Sequence, residues 1–183
     1  SPGDKVILWQ DIWEDAGSCI TVGNGVIFDC EYSGTRHYID GDQIGSDSGV
    51  YIGGGATVQN CIIRNFDSGV YNYEGGVGNV YNNNLVYNNY GLYYTWYAGG
   101  NVTGNLIGSN YVDGMNLYVS KITAQGNQIS SNSRYGVYIA SSYLGQNNYF
   151  FNNTINTNGD TSGEHGVYLY NADYNTFKNN RIN

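Results

Sequence analysis

The five residues "DSGVY" stand at 47–51 and return at 67–71. An acid, a glycine, an apolar residue and a tyrosine coming back after 20 residues raise the question of whether the interval continues, and it does. Gly49, Gly69, Gly91, Gly114, Gly136 and Gly166 mark one register, separated by 20, 22, 23, 22 and 30 residues. They are followed by "VYI", "VYN", "LYY", "MNL", "VYI" and "VYL", an apolar–polar–apolar alternation that reads as a short strand with one buried face. The earlier "CITV" at 19–22 fits the same slot, with Cys19 in the glycine position. Self-similarity at a fixed period of about 22 residues is the signature of a stacked repeat.

A second register runs between these anchors. It reads "QNCII" (59–63), "NNNLV" (82–86), "TGNLI" (103–107), "GNQIS" (126–130), "NNTIN" (152–156) and "NNRIN" (179–183). Each is a bend containing Asn or Gly followed by an apolar position, so every period holds at least two short strands. Helices would need apolar stripes at i, i+3 and i+4, which are missing, as is the leucine spacing of leucine-rich repeats. The geometry that fits is an all-β, parallel β-helix of about seven coils, each about 4.8 Å above the last. Val50, Val70, Leu92, Met115, Val137 and Val167 then form one inward column, and Ile52, Leu117, Ile139 and Leu169 another. Asn72 and Tyr94 interrupt the second column, and the sequence offers no reason for them. Of 27 asparagines, 26 lie at or after Asn60. In bends, Asn tolerates left-handed backbone, and stacked amides bond coil to coil.

The string "VILWQDIWEDAGSCITVGNGVIFDCEYSGTRHYIDG", followed by "GVYI…VQNCIIRNF…GVYN", resembles the Asn-rich parallel β-helix repeat proteins of archaeal and bacterial cell surfaces. These are also called NosD-like, or carbohydrate-binding and sugar-hydrolysis, repeats. The resemblance spans nearly the whole chain and implies a right-handed β-helix and an extracellular or cell-surface location. On function it is broad, because enzymes, binders and plain spacers share the scaffold. Residues 1–183 are expected to form one domain, with 1–18, including Trp9 and Trp13, covering the N-terminal end and 19–183 winding as coils. "FKNNRIN" stops in mid-repeat, which suggests a segment of a longer protein with a terminal coil open to self-association.

Charge and composition narrow the partners. The net charge is −8 and the seven basic residues are scattered, which excludes phosphate-neutralising nucleic-acid binding. No apolar run is long enough to span a membrane. Carbohydrate or cell-surface proteins are the partners expected. The sequons "NVT" (101–103) and "NNT" (152–154) permit N-glycosylation but are expected by chance in so Asn-rich a chain.

Three cysteines and two histidines do not make a zinc pattern. Aligning "VIFDC" with "TVQNC" places Cys30 and Cys61 at equivalent positions of successive coils, within reach of a disulfide. Cys19 with Cys30 is the rival pairing, and buried thiols are the third alternative.

The same register places Asp47 above Asp67. Two carboxylates about 5 Å apart need compensation. Ca²⁺ with oxygens from "DGDQIGSD" (40–47), a shared proton, or separate bonds to each turn backbone would each supply it. The matching positions further on are Asn89, Val112, Arg134 and Glu164. No set of acid and base assembles by register: "GEHG" (163–166) only approaches the Gly-His-Gly of β-helix glycosidases, and the Lys and Arg residues lie far apart. No cofactor is required. The segment "TNGDTSGEH" (157–165) is expected to project as a loop.

The middle position of each strand reads Tyr51, Tyr71, Tyr93, Asn116, Tyr138 and Tyr168. Facing outward, this column would offer an aromatic strip to sugar rings or to a partner surface, or would simply brace neighbouring strands. The leading expectation is therefore a non-catalytic surface module, a rigid rod displaying a binding face. A polysaccharide lyase or hydrolase and a self-assembling surface-layer or filament subunit are the alternatives.

Overall fold

A computed structural model describes residues 3–13, 19–23, 25–141, 147–160 and 164–183. The chain winds into a three-sided prism of short parallel strands. Each coil contributes three strands, one more than the minimum read from the sequence. The first sheet stacks eight, from Lys5–Ile7 to Thr176–Lys178, and the second eight, from Ile12–Trp13 to Arg181–Ile182. The third stacks seven, from Ile20–Val22 to Val167–Tyr170, and contains every Gly-Val-Tyr-type strand. Every sheet pairs strands from successive coils in parallel. Among the described residues the one antiparallel pair is a small hairpin, Glu31–Tyr32 with Thr35–Arg36, that leaves the helix before His37 returns to it. At the N-terminal end, Lys5–Ile7 and Ile12–Trp13 continue the first and second sheets, with Trp9 and Trp13 exposed.

The core is the prism's axis. Val50, Val70, Leu92, Met115 and Val137 share successive rungs and are fully buried, as are Ile52, Leu117 and Ile139. Val167 packs at the edge of the core, while Leu169, in the last strand of its sheet, is 47% exposed. The two interruptions have a shared explanation. The Tyr94 ring enters the core and its hydroxyl donates to Gly78 O at 2.8 Å, while Asn72 Nδ2 donates to Gly76 O at 3.1 Å. Room for both comes from "GGVG" (75–78): a Cβ on Gly76 would lie 2.7 Å from Asn72 Oδ1. Burial drives the Tyr94 phenol far above the ordinary tyrosine range, with the Asn72 hydrogen bond pulling the other way.

Close approach, rather than backbone freedom, explains the anchor glycines. A Cβ on Gly69, Gly91, Gly114 or Gly136 would come within 2.8 Å of both the next coil's glycine carbonyl and an asparagine Nδ2. Those amides belong to a column, Asn88, Asn110 and Asn132 buried and Asn158 partly so, lining the corner between the second and third sheets. A matching column at the corner between the first and second sheets is Asn83, Asn105, Asn127, Asn153 and Asn180. In both, Oδ1 accepts the backbone N–H of the preceding coil's asparagine, and Nδ2 donates to a strand carbonyl, as Asn105 does to Val80 at 2.9 Å. The left-handed residue is the one before: Asn60, Asn82, Gly104, Gly126, Asn152 and Asn179 at one corner, Asn65, Tyr87, Ser109, Ser131 and Thr157 at the other. The two properties that the sequence assigns together to Asn therefore fall on neighbouring positions, and only the amide ladder demands Asn.

Cys30 and Cys61 are joined by a disulfide with a Cα–Cα distance of 4.7 Å. Cys19 stands outside it, partly buried, on the rung where later coils carry glycine. Each asparagine corner is closed at its N-terminal end by a buried aspartate. Asp29 accepts from Asn60 and Gln59 and pairs with Lys5 at 2.7 Å; Asp40 accepts from Asn65 and pairs with Arg64 at 2.6 Å. Burial works against the Asp29 charge, but Lys5, Asn60, Gln59 and the Glu31 N–H together hold its carboxyl down at about 2.

Candidate functional site

On the third sheet Tyr51, Tyr71, Tyr93, Asn116, Tyr138 and Tyr168 occupy successive rungs of one column. The five rings are half-buried, because flanking side chains wall them in. Those flanks come largely from the position immediately before each anchor glycine: Ser48, Ser68, Tyr90, Asp113 and Tyr135 on successive rungs. The result is two aromatic clusters separated by a polar centre.

In the first cluster Tyr71 lies 5.6 Å from Tyr51 and 5.5 Å from Tyr93, and Tyr90 lies 5.2 Å from Tyr93. In the second, Tyr135, Tyr138 and Tyr168 are nearly coplanar in orientation, with centroids 4.8–5.8 Å apart and interplanar angles of 13° or less. His165 extends that stack beside Tyr135 and Tyr168. Offset ring contacts of this kind add stability beyond the area they bury. Burial raises the phenol pKa of Tyr71, Tyr90, Tyr93 and Tyr138, with Asp113 adding to the shift at Tyr90.

At the centre Asp113 is fully buried on the outer side of the sheet. Arg134 grips it with two bonds, Nε to Oδ1 at 2.9 Å and Nη2 to Oδ2 at 2.7 Å, and Asn116 Nδ2 donates to Oδ2 at 2.8 Å. The guanidinium in turn lies over Tyr135 and Tyr138, 5.0 and 5.5 Å from their centroids. With both oxygens engaged, Asp113 is suited to fixing Arg134 in place rather than to exchanging protons. Arg134 keeps part of its donor fork in solvent, a polar contact between two apolar platforms.

Asp47 and Asp67 lie on adjacent coils, joined by Ser68 N–H donating to Asp47 O. Asp67 accepts from Asn89 Nδ2 at 2.8 Å. Among the described residues no group of three or more His, Cys, Asp or Glu side chains is placed to hold a metal. Of the loop 157–165, residues 161–163 lie outside the described residues; Glu164 accepts from Asp160 N–H. No helix among the described residues is long and apolar enough to cross a membrane.

Register alignment places Arg134 with Asp47 and Asp67 without giving it a role and misses Asp113, Tyr90 and Tyr135, although each of these three stands immediately before an anchor glycine.

A second aromatic feature lies at the corner after the third sheet. Tyr73, Glu74, Gly75, Trp96 and Tyr97 line an open groove of about 460 Å³.

A family model described as "Right handed beta helix region" matches residues 18–182. A search of the curated proteins found no match.

Proposed function

The chain belongs to the right-handed β-helix family, and from that premise we propose that it is a non-catalytic, rigid module of a cell-surface or secreted protein whose third sheet binds carbohydrate. The observation that carries this reading is the tyrosine column with its flanking rings, two clusters of half-exposed aromatics held at coil spacing on one sheet, edge-on or tilted in the first and stacked in the second. Aromatic faces pack against the apolar faces of sugar rings, and phenol hydroxyls and the free Arg134 donors suit sugar hydroxyls. A chain of sugars fits a repeating platform better than a single small ligand does. The reading needs no metal or cofactor.

Titration with a panel of neutral and acidic polysaccharides tests it. The expected result is saturable binding that Tyr138→Ala combined with Tyr168→Ala weakens about tenfold. Binding that ignores this pair, or new reducing ends appearing in the polysaccharide, would overturn it.

A further inference from the structure

We infer that the groove at Tyr73, Glu74, Trp96 and Tyr97 is a discrete sugar subsite, one that takes a neutral or N-acetylated hexopyranose and turns away uronic acids. This inference rests on the carbohydrate reading above and extends it around the corner of the prism.

The first observation is conformational. Counting three and four residues on from Tyr51, Tyr71 and Tyr93, which share a column, reaches Gly54–Gly55, Glu74–Gly75 and Trp96–Tyr97. All six residues have positive φ: 59° and 80°, then 56° and 69°, then 53° and 65°. In these three coils the corner uses two consecutive left-handed residues, whereas the next coil, at Val119–Ser120, uses one; glycine meets such a conformation at no steric cost. In the third of these coils the chain instead holds two bulky aromatics there. Backbone preference disfavours them, and strain of this kind collects at functional sites.

The second observation is exposure. Trp96 is 48% and Tyr97 54% exposed, so core packing does not compensate for the backbone. Tyr118 meets the Trp96 indole edge-on at 5.9 Å, which props the ring rather than covering it.

The third is chemical. Glu74 is exposed and lines the groove next to Tyr73, so a carboxylate stands beside the aromatic walls. Aromatic faces plus an acceptor match a sugar's C–H face and its hydroxyls. Glu74 and the net charge of −8 disfavour a sugar carboxylate. Tyr73 also stacks on Tyr71 of the main column, 6.3 Å away at 25°, which makes groove and column one continuous surface.

The test uses Trp96→Gly, a change to the residue type that an earlier coil carries at the same turn, so the fold is expected to persist. Binding of cellohexaose, mannohexaose, chitohexaose and hexagalacturonate is measured by calorimetry and by tryptophan fluorescence, with choline as a competitor. The expected result is that at least one neutral hexaose binds, shifts the fluorescence, and loses about tenfold in affinity in Trp96→Gly. Glu74→Gln keeps that ligand and newly admits hexagalacturonate. If the Tyr138→Ala/Tyr168→Ala pair weakens binding while Trp96→Gly does not, the groove proposal falls and the column reading stands. If no saccharide binds the unaltered chain, both fall. A fluorescence response to choline but to no sugar overturns the sugar assignment in favour of an ammonium ligand.

Discussion

At the two asparagine corners the chain repeats itself: one left-handed residue, then a buried Asn whose amide bonds the coils on either side, recurring from Asn83 to Asn180 and from Asn88 to Asn158. At the third corner the amide ladder is confined to the last coils, where Asn148 takes its place above Asn175, and the coils before it share only a left-handed backbone. The same double left-handed turn is Gly-Gly, then Glu-Gly, then Trp-Tyr, and the side chains stand in solvent. Where folding dictates the residue, the sequence is monotonous. Where it departs from what the backbone prefers, some other demand has chosen the side chain.

The strongest way to break this contrast is Asn105→Ala. It removes the side-chain acceptor of the Asn83 N–H and the side-chain donor to the Val80 carbonyl, and leaves Asn127 Oδ1 with only the backbone N–H of residue 105, all in the interior. Chemical denaturation should show a loss of roughly 3 kcal/mol, and a loss below about 1 would deny the ladder its structural role.

The next test addresses the end of that corner. The Asp29 carboxyl is held at about 2 against an ordinary 3.8, so its ionised form is favoured in the fold. Its contribution, about 2 kcal/mol, is complete at neutral pH and disappears as pH falls from about 4 through about 2. Across that window the urea midpoint of the native chain should fall further than that of Asp29→Asn.

The smallest effect belongs to the third corner. Tyr97→Gly should leave stability unchanged or raise it by up to about 1 kcal/mol, since glycine relieves the left-handed strain but frees the unfolded chain. A clear destabilisation would mean that Tyr97 serves the fold, and the contrast between corners would dissolve.

The winding and its register were legible from the Gly-Val-Tyr strands because a parallel solenoid projects its columns directly onto sequence spacing. The tyrosine column followed for the same reason. What stayed hidden depends on contacts between unlike positions. Asp113 with Arg134 is an ion pair between columns offset by one residue, and neither repeats. The entry of Tyr94 into the core needs the glycines at 75–78, on a different side of the prism. The Trp96–Tyr97 turn was hidden because periodicity locates a corner but does not report the sign of φ there.

The amide ladders carry one more implication. Asn83, Asn105 and Asn127, and likewise Asn88, Asn110 and Asn132, are spaced by 22 residues and present identical bonds above and below. A rung of this sort accepts any other rung as its neighbour, so a whole turn can be duplicated or excised in evolution without inventing a new joint. The molecule's reach is therefore a copy number, and each added turn lengthens all three sheets by the same increment.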